Sequence, residues 1–238
     1  MLTAVPLPDQ PLSILWQSTV VDIEPGSRFG HRHDAAAINT TLAVLNDTDA
    51  TLEFPLILAT TDPEERDPSH FAVRVGSQPL DLTDADPDTE WDEFAASVRA
   101  IALAQGTPAE RIDAYLAELR KDLQRAKKSR PVTLAPNEQR FIHSYQRKLL
   151  DEEDGVLEFR GLFPLPQFLL PDGGTISALV MLPRSTSQFT VDLVDWTKAF
   201  SPQAFGKDAG LPQIAGRFAV SWLWQDDPEL YLSYRYSG

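Results

Sequence analysis

The sequence predicts a mainly β protein, an antiparallel β-sandwich of immunoglobulin-like or jelly-roll-like type with an inserted α-helical hairpin. Apolar and polar residues alternate over many short runs, which is typical of half-buried strands. Turn-forming residues separate these runs, and strands do not alternate with helices along the chain. One region, roughly Asp88 to Ser129, changes to the spacing of amphipathic helices.

The clearest pair of strands spans Ile38 to Ala59. Each strand carries apolar residues at every second position, and the polar turn Asn46–Asp49 separates the two. The same pattern of strand, turn and strand recurs at Thr175 to Trp196 and at Arg217 to Tyr236. We therefore expect a protein built from hairpins.

Further strand candidates flank these hairpins. Ser13 to Ile23 has apolar residues on both parities, which favours burial on both faces or a bulge that switches the register. Gln139 to Leu149 places Phe141, His143, Tyr145 and Arg147 on one parity. Shorter candidates are Phe71–Val75, Pro79–Leu82, Val132–Pro136 and Val156–Gly161, and the proline-punctuated Phe163–Pro171 suits an edge or a packed loop.

Two helices are predicted between the strands. Apolar residues recur at helical spacing from Trp91 to Ala102 and again from Ile112 to Leu123. Gly106 suits the end of the first helix, and Thr107–Glu110 forms a capping box that starts the second. The basic residues that follow are favourable at a helix C-terminus, so we expect the second helix to continue to about Ser129.

A chain of 238 residues is long enough for one large sandwich or two small ones. We expect a single domain covering residues 1–238, with the helical hairpin inserted at about 88–129. The alternative is a pair of small sandwiches, 1–87 and 130–238, joined by the helices.

Composition narrows the range of partners and compartments. The net charge of −14 disfavours nucleic acids and anionic membrane surfaces as partners. The absence of cysteine excludes disulfides and thiolate chemistry. The N-terminus lacks the features of a signal peptide, and no stretch reaches membrane-spanning length, so we expect a cytoplasmic protein.

The most chemical-looking stretch is His31-Arg32-His33-Asp34. In an extended segment His31 and His33 point to the same side, so both imidazoles could bind one divalent metal, with Asp34 or His70 completing the shell. The alternative is a polar loop that precedes a strand.

An acidic stretch, Asp84 to Glu90, begins like a calcium loop but lacks the required later glycine and glutamate. There Asp88 is expected to act as a helix N-cap.

Two other groups of residues suggest binding surfaces. The second helix collects basic residues in an acidic protein, a pattern that suits an acidic protein partner or self-association. The residues expected to bind are Arg120, Lys121, Arg125, Lys127 and Lys128. The alternative there is a solvated helix face.

Four aromatic residues near the C-terminus suggest a second surface. If their two strands pair, they would form a ligand platform; otherwise they belong to the core. They are Trp222, Trp224, Tyr234 and Tyr236.

No catalytic residues can be assigned, because the chain lacks a nucleophile elbow, a phosphate-binding loop and a dinucleotide fingerprint. The leading hypothesis is a non-enzymatic structural or assembly accessory protein that binds another protein. Its step from fold to function is by analogy. Two alternatives remain open: a metal-dependent enzyme that uses His31 and His33, and a carbohydrate-binding module that uses the C-terminal aromatic residues.

Overall fold

A computed structural model describes residues 4–6, 12–26, 33–60, 71–104, 106–122, 125–153, 155–162, 175–184, 186–195, 213–214, 217–224 and 228–236. In these residues the chain is mainly β, as predicted, with two helices, α1 (Pro87–Ala104) and α2 (Ala109–Asp122). Neither helix combines the length and the apolar character needed to cross a membrane.

The strands in chain order are β1 (Ala4–Pro6), β2 (Leu12–Glu24), β3 (Ala35–Asn46), β4 (Leu52–Phe54), β5 (Leu56–Thr60), β6 (Phe71–Val75), β7 (Gln78–Pro79), β8 (Leu82–Ala85), β9 (Arg125–Ser129), β10 (Val132–Leu134), β11 (Gln139–Leu149), β12 (Asp151–Glu153), β13 (Val156–Leu162), β14 (Thr175–Met181), β15 (Thr186–Asp195), β16 (Gln213–Ile214), β17 (Arg217–Trp224) and β18 (Pro228–Tyr236).

The largest sheet, called the central sheet below, has eight strands in the order β16-β17-β14-β2-β3-β11-β6-β7. The pair β2 and β14 is parallel, and the other pairs of this sheet are antiparallel. The prediction of a wholly antiparallel arrangement is therefore wrong at this pair. A parallel pair needs a long connection, and more than a hundred residues of chain separate these two strands.

Three smaller sheets complete the β structure of the described residues. They are β1-β5-β9-β8, β10-β4 and β12-β13-β18-β15, of which the last is called the C-terminal sheet below. Apolar residues of the central sheet, of β4, β5 and β10, and of the C-terminal sheet are buried in one cluster; large fully buried members are Ile23, Leu42, Phe54, Leu56, Leu134, Ile142 and Tyr234.

The three predicted hairpins are not hairpins. In each case the two strands belong to different sheets: β3 is central whereas β4 pairs with β10, and β14 and β17 are central whereas β15 and β18 are in the C-terminal sheet. Alternation and a polar turn identify the strands correctly. They look the same when the second strand crosses to another sheet, so they do not identify the pairing.

Asn46 shows how the first of these corners is held. Its side chain is fully buried, and Nδ2 donates to the carbonyl oxygens of Ala50 (2.8 Å), Ala135 (2.9 Å) and Leu134 (3.3 Å). Its Oδ1 accepts from the backbone N–H (3.1 Å) and the hydroxyl (2.7 Å) of Thr48. The amide thereby joins the end of β3 to the turn that follows β10, and it directs the chain out of the central sheet.

The second helix is shorter than predicted. α2 ends at Asp122, and Arg125–Ser129 forms β9 instead of the last helical turns. β9 pairs with β5 on one side and with β8 on the other. Two rows of interstrand hydrogen bonds outweigh the helix propensity of this basic segment, because differences in helix propensity amount to no more than a few tenths of a kcal/mol per residue.

The start of α1 and the course of β2 follow from local chemistry. The N-cap of α1 is Asp86 rather than the predicted Asp88, because Asp86 accepts hydrogen bonds from the Asp88 N–H (3.2 Å) and the Thr89 hydroxyl (2.7 Å). In β2 the register shifts between Ile14 and Trp16, which is the bulge that the sequence offered as one explanation. Beyond it the buried positions change from even to odd numbers.

Candidate functional site

The central sheet has two faces of unusual polarity. Its inner face carries the buried side chains of β2, β3 and β11, and its outer face carries the residues of opposite parity. A sheet normally buries apolar residues and exposes polar ones. Here the inner face includes five buried polar residues, called the buried polar cluster: Gln17, Thr19, Thr40, Ser144 and Gln146. The outer face carries aromatic residues.

A row of three residues crosses the outer face. Trp16 and Phe141 both pair with Ala43, from opposite sides, so two large rings flank a small buried residue. The ring centroids of Trp16 and Phe141 are 5.9 Å apart. That distance lies in the range of a favourable aromatic pair. Because Ala43 leaves space between them, the two rings meet across the middle strand.

The next row adds hydrogen-bonding groups. His143 lies 6.3 Å from the Phe141 ring, and its Nδ1 shares a hydrogen bond of 3.0 Å with the Thr41 hydroxyl. On the far side His143 pairs with Arg74 of β6, which is exposed. Tyr145 continues the same parity and is half-buried. The outer face thus combines aromatic, hydroxyl and cationic groups on rigid strands; its members, called the outer aromatic face, are Trp16, Thr41, Arg74, Phe141, His143 and Tyr145.

Phe141 is the central exposed ring of this surface. Its residue is 41% exposed, although it lies within β11 and pairs with Ala43 of β3. Among the side chains that the structure describes, two other large apolar residues are comparably exposed, Leu103 at 50% on α1 and Leu149 at 51% at the end of β11. The sequence did not identify Phe141 as a site residue. The signal was present, since the aromatic residues of β11 lie on the parity opposite to Ile142.

The predicted metal stretch ends in a buried carboxylate. Asp34 lies just before β3 and is fully buried. Its Oδ2 accepts hydrogen bonds from the hydroxyls of Tyr234 (2.6 Å) and Tyr236 (2.5 Å), both on β18. Its carbonyl oxygen accepts from the Leu150 N–H at 2.9 Å. Asp34 therefore ties the central sheet to the C-terminal sheet.

Burial and the neighbouring carboxylate change the acid–base behaviour of Tyr234. The pKa of its hydroxyl is raised well above its ordinary value, first by desolvation and then by the hydrogen bond to Asp34 and the negative charge of that residue. The ring of Tyr236 meets that of Tyr234 edge-on, with centroids 5.9 Å apart. The two tyrosines act as neutral donors to one carboxylate oxygen.

The structure describes only some of the residues predicted to bind a metal. His31 and His70 lie outside the described residues, and His33 is half-buried beside Asp34. In the described part of the chain no three acidic or histidine side chains are grouped to hold a metal ion. Since Asp34 Oδ2 already binds two hydroxyls, a metal ligated there would have to replace them. Metal binding by His31 and His33 stays a prediction.

Two of the five predicted basic partner-binding residues make ion pairs within the chain. Arg120 binds the carboxylate of Asp88 and lies over the Trp91 ring, 5.7 Å from its centroid. Lys128 binds both carboxylate oxygens of Glu90, at 3.0 and 3.1 Å, and Glu90 is buried. These cations dock the start of α1 onto α2 and β9. Arg120 lies in the last turn of α2, where a cation is favourable, whereas Lys128 lies on β9 and not at the helical C-terminus that the sequence predicted.

Lys121, Arg125 and Lys127 complete that predicted set, and their side chains lie outside the described part of the structure. The backbone positions differ from the prediction, because Arg125, Lys127 and Lys128 belong to β9. Lys127 is the register partner of Asp84. The predicted basic helix face is thus divided between a helix and a strand, and the acidic stretch from Asp84 lies next to it rather than forming a calcium loop.

The predicted aromatic platform is divided in a similar way. Trp222 and Trp224 lie on β17 in the central sheet, whereas Tyr234 and Tyr236 lie on β18 in the C-terminal sheet. The pairing on which the platform depended is therefore wrong. Tyr234 is buried and Tyr236 is half-buried against Asp34. The tryptophan side chains are outside the described part of the chain.

No protein-family model and no curated protein matches this sequence. Among solved structures, the chain is similar to a "putative nutrient binding protein" from Legionella pneumophila, with 10% identity and a TM-score of 0.58. The similarity covers 98% of this chain and 70% of that one. At this identity the likeness concerns the fold alone.

A zinc metallopeptidase of the M1 class from Deinococcus radiodurans also overlaps with this chain. The identity is 10%, the TM-score is 0.42, and the overlap covers 95% of this chain and 43% of the peptidase. An overlap of this quality supports no statement about activity.

Proposed function

We propose that this chain is a non-enzymatic accessory protein that binds a protein partner on the outer aromatic face of the central sheet. The observation that carries the proposal is the 41% exposure of Phe141 between the Trp16 and His143 rings. Aromatic residues are enriched at protein interfaces, where they bury a large area at a small entropic cost. Strands hold these rings in fixed positions, which favours binding without reordering.

The neighbouring groups indicate the chemistry of the partner. Arg74 and His143 are adjacent and exposed, in a protein whose net charge is −14. That net charge repels acidic proteins over long distances, whereas a local cation can select a single carboxylate at contact. We therefore expect a partner segment that places an apolar side chain on Phe141 and a carboxylate near Arg74.

Site-specific photo-crosslinking in the native host tests this proposal. A photoreactive residue replaces Gln139, which is exposed beside Phe141 on β11, and in a second version it replaces Leu103 on α1. We expect a protein that crosslinks from position 139 and not from position 103. Phe141→Ser should abolish that crosslink, while the matched surface change Leu103→Ser should leave it intact. The proposal fails if the same proteins crosslink from both positions or if Phe141→Ser has no effect.

The proposal includes the architecture of a single-domain β-sandwich with an inserted helical hairpin. Strands from both ends of the chain lie in the central sheet, which favours one domain over two separate sandwiches. One apolar cluster includes residues of the central and the C-terminal sheets. The chain leaves β8, forms the two helices and returns in β9, and β8 and β9 pair with each other. Replacing residues 87–122 by a Gly/Ser linker should therefore leave a folded protein by circular dichroism. The predicted cytoplasmic location is tested by fractionation of the native host.

A further inference from the structure

The buried polar cluster lies in the middle of the inner face of the central sheet. Gln17 and Thr19 are each 1% exposed, and Thr40, Ser144 and Gln146 are each less than one tenth exposed. Gln17 Nε2 donates to the Thr19 hydroxyl at 3.4 Å, and the hydroxyls of Thr19 and Thr40 share a hydrogen bond of 3.1 Å. Ser144 pairs with Thr40 on the next strand.

The register places small residues in one row across five strands. This row, from β14 to β6, consists of Ala178, Thr19, Thr40, Ser144 and Val73. The row on one side includes Gln17, Leu42 and Ile142, and the row on the other side includes Val21, Ile38 and Gln146. The hydroxyls of the cluster therefore lie in one row, and the rows on either side contribute one glutamine each.

One buried polar atom of this cluster lacks a hydrogen-bond partner among the described residues. Gln17 Oε1 accepts no hydrogen bond from the residues that the structure describes. Rotating the amide by 180° would exchange its two heteroatoms, and the nitrogen would then be the atom without a partner. Buried polar groups in folded proteins are nearly always satisfied by protein or by an ordered molecule. The amide lies against Thr19, so the atom without a partner belongs to the buried polar cluster.

We infer that the buried polar cluster is an internal binding site for a small uncharged molecule that donates a hydrogen bond to Gln17 Oε1. The five side chains of the cluster are uncharged amides and hydroxyls, which suit a neutral molecule, because a buried ion needs a compensating charge. Enclosure of the cluster limits the size of the occupant. Water fits this chemistry, and so does a small alcohol or amide taken up during folding.

Two measurements on the purified full chain distinguish these sources. Mass spectrometry of the denatured extract detects an organic molecule at about one per chain. Oxygen-17 relaxation dispersion counts water molecules with long residence times. We expect one of two results, both of which Gln17→Leu/Thr40→Val should remove: a stoichiometric organic molecule, or at least one long-lived water. Equal values for the wild type and this variant in both measurements would overturn the inference.

A matched control and a variant-free measurement complete the test. Thr186→Val removes a buried hydroxyl outside the cluster, one that donates to the Pro183 carbonyl at 2.9 Å, and it should leave both values unchanged. If the double variant does not fold, a high-resolution crystal structure of the wild type decides. Electron density within hydrogen-bond distance of Gln17 Oε1 supports the inference, and apolar packing against that atom contradicts it.

Discussion

The two faces of the central sheet differ although the same strands form them. On β11, Ile142 is 1% exposed on the inner face, and the preceding Phe141 is 41% exposed on the outer face. On β3, Thr40 is buried within the polar cluster, and Thr41 contacts His143 outside. The inner face buries hydroxyls and amides among its aliphatic residues, whereas the outer face exposes the Phe141 ring beside two half-buried aromatic residues.

This difference between the faces shows which positions of the sheet stabilise the fold and which do not. Burying polar groups and exposing rings both oppose the stability of the fold. Proteins retain such violations of local rules mainly at functional sites. The aliphatic residues around the cluster keep the sheet folded, so the two exceptions mark the positions where binding is proposed. Matched substitutions on the two faces therefore separate folding from binding.

The largest difference is expected for adjacent residues of β11. Ile142→Ala should lower the free energy of unfolding by about 2–5 kcal/mol, because it leaves a cavity in the core. Phe141→Ala should cost about 1 kcal/mol, the value of its pairing with Trp16. Urea denaturation measures both. Equal losses would show that Phe141 belongs to the core and would remove the basis of the proposed interface.

A smaller contrast is expected for two asparagines of β3. Asn46→Asp replaces a buried NH₂ group that serves three carbonyl oxygens with an acceptor, and it should cost about 3 kcal/mol. Asn39→Asp, at an exposed position of the same strand, should change stability by less than about 0.5 kcal/mol. Thermal unfolding compares the two. A tolerant Asn46 would show that the corner between the sheets is held by other contacts.

Tyr234 provides a contrast that depends on pH. Tyr234→Phe removes a hydrogen bond to the Asp34 carboxylate and should cost about 1.5–3 kcal/mol at neutral pH. Because the pKa of Tyr234 is raised in the folded state, its contribution is complete below about pH 10 and is lost as the pH rises further. The wild type should therefore lose stability above about pH 10 more steeply than the variant. Parallel alkaline limbs in urea titrations would contradict this.

Removal of an outer hydroxyl is the control for Tyr234. Tyr145→Phe lies on β11 at a half-buried position, and it should change neutral-pH stability less than Tyr234→Phe does. A loss as large as that of Tyr234 would show that the outer face also contributes to the folding of the sheet.

The sequence predicted strands well and their partners poorly. Alternation located β3, β14 and β17, because side-chain parity is a local property. Sheet membership depends on distant contacts. The amide of Asn46 reaches Leu134 and Ala135, far along the chain, and no turn residue encodes that contact locally. For the same reason the basic segment Arg125–Ser129 looked helical, although pairing with β5 and β8 makes it a strand.

The candidate sites depended even more on distant contacts. Asp34 was singled out as a metal ligand, but its tyrosine partners lie two hundred residues further along the chain. Phe141 and His143 were placed correctly on one parity, and the binding role proposed for them is based on the exposure of that face. Gln17 and Thr19 gave no signal at all, since a strand with polar residues on one parity normally turns them to solvent.

The smallest expected contrast concerns adjacent threonines of β3 and tests the comparison most closely. Thr40→Val keeps the shape of the side chain but removes the hydrogen bond to Thr19 inside the buried cluster, and it should cost about 1 kcal/mol. Thr41→Val removes the hydroxyl that contacts the exposed His143 on the outer face, where water replaces the lost partner, so it should cost less than about 0.5 kcal/mol. The order reverses for the proposed partner, whose binding Thr41→Val should weaken while Thr40→Val leaves it unchanged. Urea denaturation and crosslinking yield from position 139, measured on the same two variants, report both effects. Two variants that move together in both measurements would mean that the faces are not independent, and that the outer aromatic face is an extension of the core rather than a binding surface.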